Sequence, residues 1–336
     1  MVLGLLADKF DTIWGMKSNA EFRELAWKRL WADHWFGRLF GGWLLLMLCG
    51  YAVQVVLDGV LGRLGVQSWF DYLETVAVNR QDLTTPVPQL TPEYISQACS
   101  STALILFFSF IMAGIASYGS AGILKKCLAN DEQNWLSEAF GGFKYPFGML
   151  WLQLRYWLIF FFWGILAGIP LGVAIGFSVP IVKHFAESHL PLVVGIVTVV
   201  ISLGLFAMFA IYGVPFYRYR FLWLVKAEHP EWSAGECIAA CRKLMKGNKL
   251  KSFRLDCSYW KPITLMLLPL VVMILAFGGC GLLGDEKLAV AIACIVVFLG
   301  LIAILPLAIV VTQYISVGQG FFYEELKKTE ITENAE

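Results

Sequence analysis

Residues Tyr156 to Val182 read YWLIFFFWGILAGIPLGVAIGFSVPIV, a run of 27 without an Asp, Glu, Lys or Arg. A buried strand of a soluble protein stays apolar for only about 4 to 8 residues, whereas a bilayer core takes about 20 apolar residues as helix. The run therefore predicts a membrane-spanning helix. Five more charge-free runs follow the same pattern: Leu39 to Leu57, Ala98 to Leu124, Leu190 to Tyr217, Pro262 to Gly284 and Leu288 to Tyr323. Each central Leu, Ile, Phe or Val contributes about −0.3 to −0.6 kcal/mol to insertion, and no charge opposes it at about 2.5 to 3.5 kcal/mol. The expected fold is all-α, a polytopic helical membrane protein with six transmembrane helices. The last run exceeds what a span needs, which places Gly318 to Tyr323 in the interface.

Composition agrees. Of the 336 residues 58% are hydrophobic and 15% charged, and mean hydropathy is +0.68, against about 25% charged in soluble domains. A net charge of +1 gives no electrostatic footprint for nucleic acid. Met1 to Leu6 is apolar but short and runs into Asp8, Lys9 and Asp11, so no cleaved signal is expected. The eight cysteines are scattered and read as small apolar filler rather than a disulfide framework.

Topology follows from the cations. With six spans, one set of alternate segments holds 22 of the 26 Lys and Arg residues and the other holds 4. Basic residues near span ends stay in the cytoplasm, so both termini are expected there.

Three segments on the basic side precede a pair of spans: Asn19 to Phe40, Asn134 to Leu154 and Ser233 to Trp260. Each reads as an amphipathic helix, a polar or glycine step, then an aromatic lead into a span. In the first, Phe22, Leu25, Ala26 and Leu30 share a helical face with Trp31 and Trp35 beside it. Ser18 with Glu21, and Ser233 with Glu236, have capping-box spacing. The exits Tyr118-Gly119, Tyr217-Arg218 and Val317-Gly318 recur at intervals of 99 and 100 residues. The pattern predicts a single membrane domain over 1–336 made of three tandem units, 18–130, 131–232 and 233–328, each an interfacial amphipathic helix plus a transmembrane hairpin, and a flexible tail at 329–336.

The third unit carries a family likeness. Tyr217-Arg218-Tyr219, Leu222, Glu228-His229-Pro230, Ser233-Ala234-Gly235-Glu236, Leu244-Met245-Lys246-Gly247-Asn248-Lys249, Phe253-Arg254-Leu255-Asp256 and Phe322-Tyr323-Glu324-Glu325-Leu326 resemble the bacterial integral membrane proteins grouped as domain of unknown function 975. Glu228-His229 and Cys257-Ser258-Tyr259-Trp260 depart from that family's usual residues. The resemblance implies a bacterial cytoplasmic membrane protein of uncharacterised activity and supplies no catalytic residue. A more distant likeness, to the membrane domain accompanying some glycerophosphodiester phosphodiesterases, implies proximity to lipid chemistry.

Two groups stand out as candidate sites. Gly164, Gly168, Gly172 and Gly176 fall at intervals of four, the spacing that lets a neighbouring span or subunit approach closely, or that lines a narrow conduit. Arg242, Lys243, Lys246, Lys249, Lys251 and Arg254 crowd beside a span entrance, where four to eight cations attract anionic headgroups. Asp256 is expected to pair with Arg254 or Lys261. The step Lys246-Gly247-Asn248 predicts a helix stop with Gly247 at positive φ. His184, Glu187 and His189 in a short outside loop, and His229 with Cys237 and Cys241, fall short of the three or four ligands of a zinc site. No nucleophile elbow or phosphate-cradling pattern is present, and no span holds a titratable residue of the kind that marks a proton path. No cofactor, no metal and no catalytic site are expected. Three readings stand: a non-enzymatic scaffold or lipid-interacting protein that assembles through its spans, alone as a homo-oligomer; a channel or facilitator for a small or apolar solute; and an accessory subunit whose chemistry sits on an unidentified membrane partner.

Overall fold

The computed structural model describes residues 17–63, 91–280 and 286–333, with the side chains of 94, 98, 181–192, 274–280, 286–294, 297, 299, 301, 303, 332 and 333 outside that set. Among the described residues every regular element is helical. The helices are α1 (Asn19–Trp31), α2 (Trp35–Arg63), α3 (Pro92–Ala129), α4 (Trp135–Ala139), α5 (Pro146–Arg218), α6 (Leu222–Glu228), α7 (Ala234–Leu244), α8 (Lys249–Ser258), α9 (Trp260–Cys280) and α10 (Glu286–Glu333), with a 3₁₀ turn at Gly141–Lys144.

Among the described residues five stretches are long and apolar enough to cross a membrane: Trp35–Arg63, Ile95–Ala129, Pro146–Pro180, Val193–Glu228 and Ile304–Ile331. The fifth expected span, Pro262 to Gly284, falls on α9, whose described part reaches that standard only together with α8, which meets it at a bend of 56°. The tail expected from residue 329 is helical through Glu333.

The described helices pair as three hairpins. A Cβ on Gly42 would meet Ile123, and one on Gly119 would meet Leu46, so α2 and α3 run antiparallel. The 73 residues of α5 are helical throughout, yet Phe160 packs edge-on to Tyr212 at 5.5 Å and Gly204 abuts Ala174. At 1.5 Å per residue a straight helix would hold Phe160 and Tyr212 about 80 Å apart, so the chain reverses between Ala174 and Gly204. Gly300 against Met273, and Gly318 against Tyr259, pair α9 with α10 in the same antiparallel sense.

Short helices lead into these hairpins, not always as the sequence predicts. Helix α1 buries Phe22, Ala26 and Leu30, with Phe22 edge-on to Phe322 at 5.8 Å. Its apolar face is thus covered by protein, while Trp27 and Trp31 remain exposed. The second lead-in is only a five-residue helix and a 3₁₀ turn before Pro146 starts α5, because Gly141 and Gly142 lie tight against Tyr118 and Ile115. Both expected capping boxes form, at Ser18 with Glu21 and at Ser233 with Glu236. Replacing Ser233 by alanine is expected to cost about 1 kcal/mol, read as a lower thermal midpoint. The Ser233 amide, and then its hydroxyl, hold the Glu236 carboxyl below its ordinary range. A lowered folded pKa gives stability that is present above the unfolded value and lost as pH falls through the folded one. The wild type should therefore lose its margin over Glu236→Gln on acidification.

The core sits at one end of the bundle. Tyr118, Met149, Leu152, Leu222, Val225, Cys237, Cys241, Met245, Leu255, Tyr259, Phe322 and Tyr323 form one buried cluster, to which the near ends of all three hairpins and most of the short helices contribute. Away from it the spans present Phe161, Phe162, Phe177, Phe206, Leu268 and Val272 outward. So continuous an apolar surface is stable only against lipid.

Candidate functional site at the charged end

Asp256 lies at the C-terminal end of α8 and accepts from three residues. Arg220 grips it in a bidentate pair, Nη2 donating to Oδ1 at 2.9 Å and Nη1 to Oδ2. Tyr217 donates its hydroxyl to Oδ2 at 2.9 Å, and Gln319 its amide to Oδ1 at 2.8 Å. Gln319 also accepts from the Ser252 hydroxyl at 3.0 Å and donates to the Ser252 carbonyl at 3.1 Å. The expected partners Arg254 and Lys261 are replaced by Arg220, 36 residues upstream. The reason is geometric: the α8 face carrying Asp256 turns toward the exit of the second hairpin, whereas Arg254 is exposed on another face. The network joins the ends of the second and third hairpins.

A second knot holds the same hairpins. Glu228 accepts from Tyr323 at 2.6 Å and from Lys327 at 2.8 Å. Lys226, almost fully buried, donates to the carbonyls of Pro230 and Trp232 at 2.7 and 2.6 Å, which closes the turn between α6 and α7. Gly247 takes φ +83°, as expected of a helix stop.

Helix α8 presents the charged surface. Ser252 and Leu255 face the core. Opposite them Leu250, Phe253 and Cys257 share an exposed face with Lys249 and Arg254 at its edges by helical position, and exposed Trp260 continues it past the bend. Arg242 and Lys246 are exposed on α7 and the following turn, and Lys249 and Lys251 are half-buried. Lys243 pairs with Glu330, its Nζ 2.6 Å from the carboxylate.

The glycine face of the third expected span does not pack within the chain. A Cβ on Gly164 would meet only Tyr212, at 4.0 Å, and Cβ atoms on Gly168, Gly172 and Gly176 would meet nothing within 4 Å. Close approach to the neighbouring arm occurs on the face of Pro170, Leu171 and Ala174, where Gly204 is the small residue. A sequence scan finds the spacing but not which side of α5 turns inward.

Among the described residues no group of three His, Cys, Asp or Glu side chains is placed to hold a metal. Cys237 and Cys241 are fully buried in the core, and His229 stacks on Trp232 at 3.8 Å. The side chains of His184, Glu187 and His189, and most of the external segment 58–97, lie outside the described residues. Burial pushes the Cys241 thiol up to about 12 and raises that of Cys237. Because thiolates are the reactive form, both should stay unmodified by maleimide at pH 8 until the protein is denatured, as mass measurement of the peptides would show.

Hairpins with lipid-exposed walls and a packed charged end define a multi-pass helical membrane protein. The chain belongs to the family described as protein of unknown function (DUF975), whose model matches residues 16–330. Comparison with the curated proteins and with the solved structures gave no match, and the likeness to the glycerophosphodiester phosphodiesterase membrane domain gains no support from them. The segments that carried the family resemblance meet in space: Tyr217 and Asp256 in one network, Glu228 and Tyr323 in the other, with Met245, Leu255, Phe322 and Leu326 in the core between.

Proposed function

We propose that the protein is a non-enzymatic scaffold of the bacterial cytoplasmic membrane that binds anionic lipid at the inner leaflet, with both termini in the cytoplasm. The observation that carries this reading is α8. One face is held in the core, and the other exposes Leu250 and Phe253 between Lys249 and Arg254, with Lys246 just before the helix and Trp260 just past the bend. An apolar helical face flanked by cations lies in the headgroup boundary, its side chains in the acyl region and its charges level with the phosphates. The 56° bend to α9 fits a helix lying along the surface before the chain turns into the bilayer. The uneven distribution of Lys and Arg supports the orientation.

The test is to replace Lys246, Lys249, Lys251 and Arg254 by glutamine and measure the preference for phosphatidylglycerol over phosphatidylcholine in the lipid retained on extraction. At about 1 kcal/mol per cation near the surface, the expected loss of preference is on the order of 10²- to 10³-fold. Unchanged retention would overturn the reading.

A further inference from the structure

A cavity of about 570 Å³ lies where the three hairpins meet. Its walls come from the start of α2 (Leu39, Trp43), the end of α3 (Ser120 to Leu124), the junction into α6 (Arg220 to Leu224) and one face of α10 (Leu305 to Gly320). The volume falls in the range of pockets that enclose small molecules, about 300 to 1,000 Å³.

The wall formed by α10 changes character along its length. Leu305, Ala308 and Ile309 are apolar; Thr312, Gln313, Ser316 and Gln319, toward the charged end, are polar. Arg220 stands at that polar end. Two of its N–H groups are given to Asp256, and a guanidinium carries five, so donors remain beyond the pair. Leu305 and Thr312 are exposed, so the cavity opens sideways onto the lipid-facing surface. Water at the apolar end would lack the two to four polar partners it needs, and leaving the space empty forfeits dispersion contacts along its walls.

We infer that this cavity is a binding site for one acyl chain of a membrane phospholipid, with the chain along Trp43, Leu305 and Ile309 and the ester and phosphate end directed to Gln313 and Arg220. The polarity gradient runs in the sense of a lipid in the leaflet at the charged end. A phospholipid entering from the side keeps its orientation and exchanges bilayer contacts for contacts with the wall. The site is separate from the exposed face of α8 and does not depend on the cations there.

The test uses the full chain in vesicles of phosphatidylcholine and phosphatidylglycerol carrying a phospholipid with a diazirine on one acyl chain. After photolysis, labelled residues are located by peptide mass spectrometry. The site predicts adducts concentrated on Trp43 and on Leu305 to Ile309, above the lipid-facing background at Phe161 and Phe162. Filling the cavity with Ala308→Phe, or independently with Ser316→Leu, should lower the label at Trp43 at least about tenfold, a change of about 1.4 kcal/mol, and leave Phe162 labelling as it was. Labelling at Trp43 no higher than at Phe162, or unmoved in whichever variant folds, would overturn the inference. The glutamine variants of the α8 cations should leave the cavity label intact, so failure of either reading is seen apart from the other.

Discussion

Replacing Asp256 by alanine is expected to destabilise the protein by about 3 kcal/mol, the lower end of the cost of leaving one member of a buried ion pair without its partner, because this pair is part-buried. The side chains of Arg220 and Asp256 are 15% and 19% exposed, which puts the pair at the edge of the packed end and largely screened from solvent. Removing the carboxylate strands the Arg220 guanidinium, the Tyr217 hydroxyl and one amide hydrogen of Gln319 together. Apolar replacement of both charges, Arg220→Met with Asp256→Leu, should restore much of the loss, because a matched apolar pair pays no desolvation. Thermal unfolding in detergent micelles reads both. If Asp256→Ala stayed within about 0.5 kcal/mol of wild type, the range of an ordinary surface change, the network would not hold the second and third hairpins together.

The second large effect concerns Gly119. A Cβ at this position would stand 2.1 Å from the carbonyl oxygen of Ala139 and 2.9 Å from Leu46. The first contact is backbone, on a fully buried residue, so rotation of a side chain cannot relieve it. Gly119→Ala should cost about 3 kcal/mol or more, at the upper end for overpacking, and separate the first hairpin from α4. Alanine at Gly168, Gly172 or Gly176 should do the opposite. With nothing within 4 Å, the helix gains up to about 1 kcal/mol per site from the better propensity of alanine. If these glycines form a contact between subunits, the same variants change the subunit number, which light scattering would show.

The spans were legible because lipid allows no compromise. A chain in hydrocarbon must satisfy its backbone internally and exclude charge, and the charge-free runs record that directly. Helix starts were legible for a local reason, since the capping boxes at Ser18 and Ser233 need only residues three apart. Pairings across the fold were not. Asp256 sits next to Arg254 and near Lys261 in sequence, yet the side-chain direction on α8 delivers it to Arg220. Gln319 lies within a charge-free run and gives no local sign that it completes a polar network. The stripe from Gly164 to Gly176 is the most regular in the chain and packs against almost nothing, whereas single glycines at 119, 204 and 318 make the close contacts. The hundred-residue recurrence of the span exits was visible in the sequence, but their convergence around one cavity depends on how the three hairpins pack.

The most direct test of the lipid-binding scaffold is native mass spectrometry of the full chain extracted with its surrounding lipid, read for subunit number, bound lipid and any second protein. Particles of this chain alone should retain anionic phospholipid, with the retained amount falling in the glutamine variant of Lys246, Lys249, Lys251 and Arg254. A lipid-poor particle that carries another protein would contradict it and move the function to that partner.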